Sequence, residues 1–370
     1  MSTTRARHSA FGSPWSNETQ SAANCSTAPP GAREIVVSVT FPKIELHVHL
    51  EGTVRAGTLL QIARRNDVSL PADSVEGLAA LYEFRDFSHF LEVWELTTCA
   101  LRTADDCRQV VVDYAAEAAS HGAVYLEGIF SPAEAVRRGS SWEEIFDGYC
   151  DGAQEARELH GVHVRLTAEV SRSYPVEAAL ETARYAVAYR NRGVVGLGLG
   201  GSEQLYPAEP YAPAFAIARD SGLASVPHAG ELGSTEAVRT ALHLLSAVRI
   251  RHGIAAAKDP GLVREIAARG VVLDVCPISN VRTRAVASLA EHPLPALVAA
   301  GVSCSVSTDD PAMFSTDLTA DYAAAAELGV DPRTCYMAGL RGALCDEPTR
   351  NLLAQVGDAF DWNAVVSVPG

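Results

Sequence analysis

Short β-branched segments alternate with longer helix-forming segments along most of this 370-residue chain. A strand, a helix and a second strand in succession form a parallel pair through a right-handed crossover. Eight such units in a chain of this length predict an α/β fold, a closed (β/α)8 TIM barrel, with a doubly wound open sheet as the alternative. The strand candidates are Lys43–Leu50, Ala123–Ser131, Val162–Val170, Val194–Gly201, Ala224–Glu231, Val248–Gly253, Val271–Pro277 and Val302–Asp309.

The helix candidates lie between these strands, in segments rich in Ala, Leu, Arg and Glu. They are Ala56–Asn66, Ala104–His121, Trp142–Leu159, Val176–Arg190, Pro210–Ser221, Thr235–Leu245, Gly261–Arg269 and Ala287–Ala299.

An insertion of about 70 residues between the first two strands is longer than one crossover requires. It contains Phe84, and its residues Phe87, Phe90, Leu91 and Trp94 lie on one helix face, at steps of three and four. We predict a helical lid over the barrel mouth, with Leu91 and Trp94 in contact with a bound ligand. The alternative is a helix that only packs on the barrel.

The chain shows no linker or shift of composition after residue 40, so residues 39–370 are predicted to form a single barrel domain. Residues 1–38 are rich in Ser, Thr, Ala, Asn and Pro without apolar periodicity, which is typical of a disordered tail. Because the tail has no long apolar region, we expect no secretory signal and a cytoplasmic location. The eight cysteines are scattered without a CxxC pair, which indicates free thiols.

The charge of the chain restricts its partners. Lys and Arg number 30 against 45 Asp and Glu residues, a formal net charge of −15 at pH 7. An acidic chain without a basic block binds phosphate backbones and anionic lipids poorly, so we expect no nucleic acid and no membrane surface. No run approaches the ~20 apolar residues of a membrane span. The expected partner is a small molecule; an oligomer is possible, but the sequence does not specify one.

Ionisable residues recur where the predicted strands end, which is where barrel enzymes carry their catalytic groups. His47 and His49 are two residues apart in a strand, so both imidazoles point to one face. His228 lies in the fifth strand candidate, and Asp309 ends the eighth. Three imidazoles and a carboxylate suit Zn²⁺ with one position open for water, so the pattern predicts a zinc site.

Each motif alone has a simpler structural interpretation. A His-x-His pair is more often two half-buried strand histidines, residues 228–231 (HAGE) could begin a helix, and residues 309–311 (DDP) are a common turn sequence. With residues 251–253 (RHG), which end the sixth strand candidate, four such signals lie at strand ends. Their coincidence favours a site, because ionisable groups there are costly unless they are paired or ligated.

In their order along the chain, these motifs resemble the adenosine deaminase family of zinc aminohydrolases, within the amidohydrolase superfamily. The resemblance runs from Pro42 to near Leu353. It rests on residues 42–52 (PKIELHVHLEG), 200–203 (GGSE), 228–231 (HAGE), 249–253 (RIRHG), 276–280 (CPISN) and 307–311 (STDDP).

Two neighbouring chemistries are excluded by residues the chain lacks. Cytidine-type deaminases need a His-x-Glu followed by Pro-Cys-x-x-Cys, which is absent. Binuclear amidohydrolases bridge two metals through a lysine at a strand end. The only lysines are Lys43, at the start of the first strand, and Lys258, in the loop after the sixth, so we expect one zinc ion per chain.

The resemblance implies a role for each catalytic and metal-binding position. It implies that Glu231 protonates the purine ring nitrogen next to the attacked carbon, and that His252 orients and stabilises the zinc-bound hydroxide. Together they imply hydrolytic removal of the 6-amino group of an adenine-containing compound, with release of ammonia. The implied zinc ligands are His47, His49, His228 and Asp309, and Asp309 also counts as catalytic.

The substrate contacts follow from the same resemblance. Asp310 is implied to bind purine N7, and the backbone of Gly201 to bind purine N3. Glu51 stands where adenosine-specific members commonly carry Asp, at the position that reads a ribose 5′-hydroxyl, and free-adenine deaminases of the family often have Glu there. The full set of predicted substrate contacts is His49, Glu51, Leu91, Trp94, Gly201 and Asp310.

Several departures from the family pattern leave the substrate open. Gly198 and Ser202 stand where many relatives have Asp, and Arg251 replaces a usual Gly or Asp. Arg251 either faces solvent or a helix, since strand neighbours alternate faces, or places a cation near the mouth to meet an anionic substituent. The latter would fit the branch acting on aminodeoxyfutalosine, a carboxylated adenine nucleoside of menaquinone synthesis.

Adenosine is the first substrate candidate, followed by adenine and aminodeoxyfutalosine. Two functions without purine deamination are also compatible with the motifs: a mononuclear zinc hydrolase of an amide or ester, and a metal-binding barrel without catalysis.

Overall fold

A computed structural model of the chain describes residues 40–232 and 234–365. The predicted tail, residues 1–38, lies outside the described residues, so the division into a tail and a single barrel domain stays a prediction. Cys25 also lies outside them, and the remaining seven cysteines are free, as expected.

Parallel strands form the centre of the fold. They pair in two sheets of order β1-β2-β3-β4-β5 and β6-β7-β8-β9. The strands of the described residues are β1 (Lys43–His49), β2 (Ala123–Phe130), β3 (His163–Ser171), β4 (Val194–Gly200), β5 (Ala224–Ser225), β6 (His228–Ala229), β7 (Arg249–His252), β8 (Val272–Val275) and β9 (Ser303–Val306).

Backbone hydrogen bonds join the two sheets at both seams. At one seam, Val226 N donates to Leu197 O at 3.0 Å, and Arg251 N donates to Pro227 O at 3.0 Å. At the second seam, His49 N donates to Asp309 O at 2.8 Å, and Asp309 N donates to His47 O at 3.1 Å. The strands therefore close into a parallel barrel, and the predicted fold class is confirmed.

The fifth predicted strand, residues 224–231, differs from the structure. It is divided into β5 and β6, because Pro227 has no N–H to donate to a neighbouring strand. Since β6 ends at Ala229, Glu231 lies beyond the strand, after a turn in which Gly230 has a φ of +72°. The chain direction still continues from β5 to β6, so the barrel retains eight strand positions.

Helices cover the barrel and fill the insertion after β1. They are α1 (Ala56–Arg65), α2 (Val75–Leu81), α3 (Phe87–Thr98), α4 (Ala104–Ser120), α5 (Pro132–Arg137), α6 (Trp142–His160), α7 (Val176–Ala188), α8 (Ala212–Asp220), α9 (Thr235–His243), α10 (Pro260–Arg269), α11 (Pro277–Arg282), α12 (Leu294–Ala299), α13 (Pro311–Phe314), α14 (Leu318–Glu327), α15 (Pro332–Gly342) and α16 (Glu347–Ala359). None of these helices is long and apolar enough to cross a membrane.

Local sequence explains where the long helices begin and end. Thr103 and Ser141 each accept from the backbone N–H three residues on, and the acidic residue there accepts from the N-cap N–H in return. Gly161 ends α6 in the left-handed conformation that glycine adopts without strain. The predicted helix over 287–299 is shorter, because Pro293 separates α12 from a 3-10 turn at Leu289–Glu291.

The insertion between β1 and β2 contains α1 to α4, as predicted for a helical lid. Phe84, Phe90 and Val93 pack with Met313 and Phe314 of α13 in a cluster separate from the main core. Because α13 directly follows Asp310, this packing places α3 beside the end of the barrel where the candidate site lies.

Candidate active site

The candidate metal ligands converge at the C-terminal ends of the strands. His47 Nε2 lies 3.1 Å from His228 Nε2 and 3.1 Å from Asp309 Oδ1. His49 Nε2 lies 3.2 Å from His228 Nε2 and 3.4 Å from Asp309 Oδ1. One ligand atom from each of the four residues lies within 4.8 Å of the others. Three imidazoles and a carboxylate aimed at one point are a donor set that fits a divalent metal ion.

The electrostatics of the cluster suit metal binding. Burial lowers the pKa of His47 to about 3 and that of His228 to about 4, so both imidazoles are neutral at pH 7. Burial would raise the pKa of Asp309, but the neighbouring His47 lowers it well below its usual range. Neutral imidazoles and an ionised carboxylate are the protonation states that ligate a metal.

The second ring nitrogens of these histidines face protein acceptors. His228 Nδ1 lies 3.1 Å from Glu169 Oε2, and His49 Nδ1 lies 3.8 Å from Glu169 Oε1. His47 Nδ1 lies 3.4 Å from the carbonyl oxygen of Asp274. Acceptors of this kind fix the orientation and tautomer of metal-binding histidines. Sequence reasoning missed Glu169, although a carboxyl group inside an apolar strand candidate is a signal that could have found it.

Both expectations for Arg251 are wrong. Its side chain is fully buried inside the barrel, where Nη1 donates to Glu169 and Nη2 donates to Thr167 Oγ1 at 2.5 Å. It faces neither solvent nor the cavity, so it does not meet a substrate anion. Arg251 points inward like Arg249, two residues before it, as strand alternation requires. The neighbouring His252 also lies inside because its φ of +61° takes the chain out of the extended conformation at the strand end.

Glu231 is placed to act as a proton donor. Its carboxyl group is buried, accepts a hydrogen bond from Thr283 Oγ1 at 3.2 Å and lies 3.6 Å from His252 Nε2. Burial and the nearby charge of Asp309 raise the pKa of Glu231 well above its usual range, so the group holds a proton at neutral pH. A buried acid of raised pKa in a cleft is typical of general acid catalysis.

A hydrogen-bond relay orients His252. Asn280 Nδ2 lies 3.1 Å from His252 Nδ1, and Asn280 Oδ1 lies 3.1 Å from His292 Nε2. Because an amide nitrogen only donates, His252 accepts at Nδ1 and carries its proton on Nε2. That nitrogen lies 3.8 Å from Asp309 Oδ2. The family resemblance includes the segment containing Asn280 but gives this residue no role.

A cavity of about 290 Å³ opens over these groups. Its apolar lining includes Leu91 and Trp94 from α3 together with Leu205 and Tyr206. Of the predicted site residues, it is lined by His49, Leu91, Trp94, Gly201, His228, Glu231, His252, Asp309 and Asp310.

Asp310 and Trp94 connect the lid to the barrel. Trp94 Nε1 donates to Asp310 Oδ1 at 3.0 Å. Burial and the charge of Asp309 raise the pKa of Asp310 well above its usual range, so this carboxyl group holds a proton. Gly201, which also lines the cavity, has a φ of +94°, a conformation that residues other than glycine rarely adopt.

Two predicted site residues do not line this cavity. His47 is fully buried below it, among the ligand cluster. Glu51 is buried in a small adjoining pocket, where Oε1 accepts from Ser131 N at 2.8 Å and Oε2 has no hydrogen-bond partner. Glu134 lines both spaces, and burial raises its pKa to about 8.

A parallel α/β barrel with a histidine–carboxylate metal site and a protonated carboxyl group at its mouth defines a metal-dependent hydrolase. Comparison with known proteins gives the family. A model of the family described as adenosine deaminase matches residues 42–358. The chain therefore belongs to the adenosine deaminase family.

Individual relatives show which compounds similar proteins act on. The chain is 57% identical over 328 residues to the aminodeoxyfutalosine deaminase of Acidothermus cellulolyticus, with 87% of this chain and 92% of that protein covered. It is 39% identical to the adenine deaminase of Cupriavidus necator, with 77% and 81% covered. The crystal structure of an adenine deaminase from Arthrobacter aurescens matches with a TM-score of 0.82 at 30% identity, with 86% and 98% covered. The protein is thus a hydrolase that deaminates adenine-containing compounds.

Proposed function

We propose that the preferred substrate is an adenine nucleoside with a large 5′ substituent, namely aminodeoxyfutalosine, and that the metal is zinc. The observation that carries the substrate proposal is the 57% identity to an aminodeoxyfutalosine deaminase across nearly the whole of both chains. Zinc is proposed because three imidazoles and one carboxylate form the donor set of an open catalytic zinc site.

The shape of the cavity supports a substrate larger than adenine. Its inner end is formed by the ligand cluster and Glu231, which must contact the ring that loses the amino group. Its solvent-facing end is lined by Leu205 and Tyr206, residues that are 68% and 40% exposed. Free adenine would occupy only the inner end, whereas a 5′-substituted nucleoside would also contact these outer side chains.

The proposed catalysis uses the protonation states described above. His47, His49, His228 and Asp309 would hold the divalent metal ion, which would supply water activated for attack at neutral pH. Glu231, which holds a proton, donates it to the ring nitrogen next to the attacked carbon and makes that carbon a better electrophile. His252, with its proton on Nε2 and its ring held by Asn280, orients the attacking water and stabilises the charge that develops there.

Two further groups orient the purine in this proposal. Purine N7 carries only a lone pair, and Asp310 carries the proton needed to donate to it, since its pKa is raised. The backbone N–H of Gly201 would bind purine N3 from the opposite side of the cavity. Trp94 donates to Oδ1 of Asp310 and so couples the lid to the purine contact.

The anionic end of the proposed substrate would lie at the rim. Among the described residues that line the cavity there is neither Lys nor Arg. Arg137 is exposed just outside it, with its guanidinium carbon 5.1 Å from the ring centre of Tyr174, which does line the cavity. We therefore place the carboxylate of the substrate beside Arg137, since the buried Arg251 does not reach it.

Adenine is the second candidate substrate. Glu51 is hydrogen-bonded to the Ser131 backbone and does not line the main cavity, so its contact with a ribose hydroxyl is not formed in this arrangement. The 39% identity to the adenine deaminase of Cupriavidus necator also supports adenine as a substrate.

The test is a comparison of kcat/KM for aminodeoxyfutalosine, adenosine and adenine, with each reaction measured by the release of ammonia. We expect the highest value for aminodeoxyfutalosine, because contacts remote from the reacting ring contribute binding energy in the transition state. Arg137→Gln should lower the value for aminodeoxyfutalosine and leave that for adenosine unchanged. A value for adenine equal to or above that for aminodeoxyfutalosine would overturn the proposal in favour of adenine.

A further inference from the structure

A buried ion pair lies directly behind the candidate metal ligands. Arg251 of β7 is fully buried, and its guanidinium group donates to Glu169 and to Thr167, both on β3. Since β3 and β7 lie in different sheets, the pair crosses the inside of the barrel. A planar guanidinium that binds two acceptors holds them in a fixed geometry.

Glu169 uses its two oxygens on two different ligand histidines. Oε2 lies 3.1 Å from His228 Nδ1. Oε1 lies 3.8 Å from His49 Nδ1, an electrostatic contact that is longer than a hydrogen bond. The Nε2 atoms of both rings point to the shared ligand centre. One carboxylate therefore faces two imidazoles on the side opposite to the metal position, and Arg251 faces that carboxylate.

Two glycines of β4 provide the space for this pair. A Cβ atom at Gly198 would lie 2.3 Å from Arg251 Nη1 and 2.8 Å from Glu169 Oε2. A Cβ atom at Gly200 would lie 2.1 Å from Glu169 Oε1. All three distances are shorter than a Cβ contact allows, so a side chain at either position would force Arg251 or Glu169 to move from the arrangement described.

We propose that Glu169 and Arg251 are positioning residues of the metal centre: Glu169 orients His49 and His228, and Arg251 acts through Glu169. The inference rests on the metal site of the proposed function and adds residues to it. In metal sites, a carboxylate on the second ring nitrogen fixes the tautomer and raises the basicity of the ligand, and its loss typically costs ~10–100-fold in metal affinity.

The experiment measures zinc affinity of the metal-free protein by competition with a chromophoric chelator. Glu169→Gln and Arg251→Met should each weaken zinc binding by ~10–100-fold. The double variant should bind zinc as Glu169→Gln does, within about threefold, because residues that act through one another are not additive.

Arg249 provides a matched control on the same strand. It is also buried, and it pairs with the carboxyl groups of Glu127 and Asp274 at 2.5 Å. Asp274 faces His47 only through its backbone carbonyl, and among the described residues Arg249 forms no hydrogen bond with Glu169, His49 or His228. Arg249→Met removes a comparable buried cation and should lower the unfolding temperature as Arg251→Met does, while zinc affinity stays at the wild-type value.

The outcomes separate this inference from the proposed function. Wild-type zinc affinity in Glu169→Gln or Arg251→Met, or equal loss in Arg249→Met and Arg251→Met, would overturn the positioning role alone. If Arg251→Met does not fold, Glu169→Gln, which keeps the shape of the side chain, decides the question. A wild-type protein that binds no zinc would overturn the proposed metal and with it this inference.

Discussion

His252 and Asp309 have positive φ angles, +61° and +69°, which non-glycine residues rarely adopt. Each such residue costs on the order of 1–3 kcal/mol and is retained where the surrounding structure holds it. Both lie where a strand ends at the ligand cluster. The strain ends the regular alternation of side chains, which explains why Arg251 and His252, although adjacent, are both buried at the barrel interior. No sequence pattern of strands predicts such a change of backbone angle.

Glu231→Gln tests the proton donor. Gln keeps the size of the side chain but has no transferable proton, so kcat should fall by ~10²–10⁴-fold. Zinc content, measured on the same sample, should stay at the wild-type level because Glu231 is not among the ligands. Wild-type turnover in this variant would remove Glu231 from the mechanism.

His292 gives a pH-dependent contribution to stability outside the ligand set. Burial lowers its pKa from 6.5 to about 4. A base whose pKa is lowered on folding stabilises the folded state above its unfolded pKa, and this stability is lost as the pH falls from 6.5 towards 4. By pH 5, about 2 kcal/mol of that contribution should be lost.

The measurement is the free energy of unfolding of wild type and His292→Gln at pH 7 and pH 5. The difference between the two proteins should become smaller at pH 5 by about 2 kcal/mol, since Gln does not titrate. A difference that stays constant or widens would show that His292 is not buried in its neutral form.

At the scale of elements, the lid helix α3 has two kinds of apolar residue. Leu91 faces the cavity, while Leu96 on the same helix is 52% exposed and does not line it. Leu91→Ala should raise KM for the nucleoside far more than for free adenine, which is too small to reach the lid. Leu96→Ala, the matched control, should change neither KM. If Leu91→Ala raises KM equally for adenine and for the nucleoside, and lowers the free energy of unfolding by ~2–5 kcal/mol, then α3 only packs on the barrel and does not contact the substrate.

The sequence predicts the elements because each leaves a periodic or composition signal. All eight strand candidates correspond to strands, and the insertion with α3 lies where the apolar steps of three and four place it. The fifth strand candidate is predicted as one continuous strand, whereas Pro227, which is visible in the sequence, divides it into β5 and β6 in the structure. The ends of strands and helices depend on which backbone hydrogen bonds can form, as at Pro293, which has no N–H to donate. The sequence therefore predicts these ends only approximately.

The site is less predictable than the fold, for a physical reason. The ligand candidates belong to motifs that are short in sequence, such as residues 47–49 and 228–231. Glu169, by contrast, is a single residue on β3. Arg251 lies in the motif of residues 249–253, but its pairing with Glu169 follows only from the curvature that brings β3 and β7 to opposite sides of one interior. Long-range pairings of this kind leave no local pattern in one sequence.

For the whole molecule, the candidate metal site lies where the barrel closes. His47 and His49 come from β1 and Asp309 follows β9, so ligands lie on both sides of the seam that Asp309 N and His47 O join at 3.1 Å. A metal ion bound there holds the first and last strands together. We therefore expect metal binding to stabilise the entire fold and not only the mouth of the barrel.

Removal of the metal tests this coupling. A ligand that binds only the folded state adds about 4 kcal/mol of stability at a free concentration ~1,000 times its Kd. Calorimetry with and without chelator should show a single unfolding transition whose temperature falls when the metal is removed. An unchanged transition temperature would mean that the site contributes nothing to closure of the barrel.

The most direct test is a titration of metal-free protein with zinc, in which activity is measured as ammonia release from aminodeoxyfutalosine. If one zinc ion binds at His47, His49, His228 and Asp309, activity should rise linearly with added zinc and reach its plateau at one equivalent per chain. The protein should show no activity before zinc is added. Full activity without metal, or a plateau only at two equivalents, would contradict the central claim of a single metal centre.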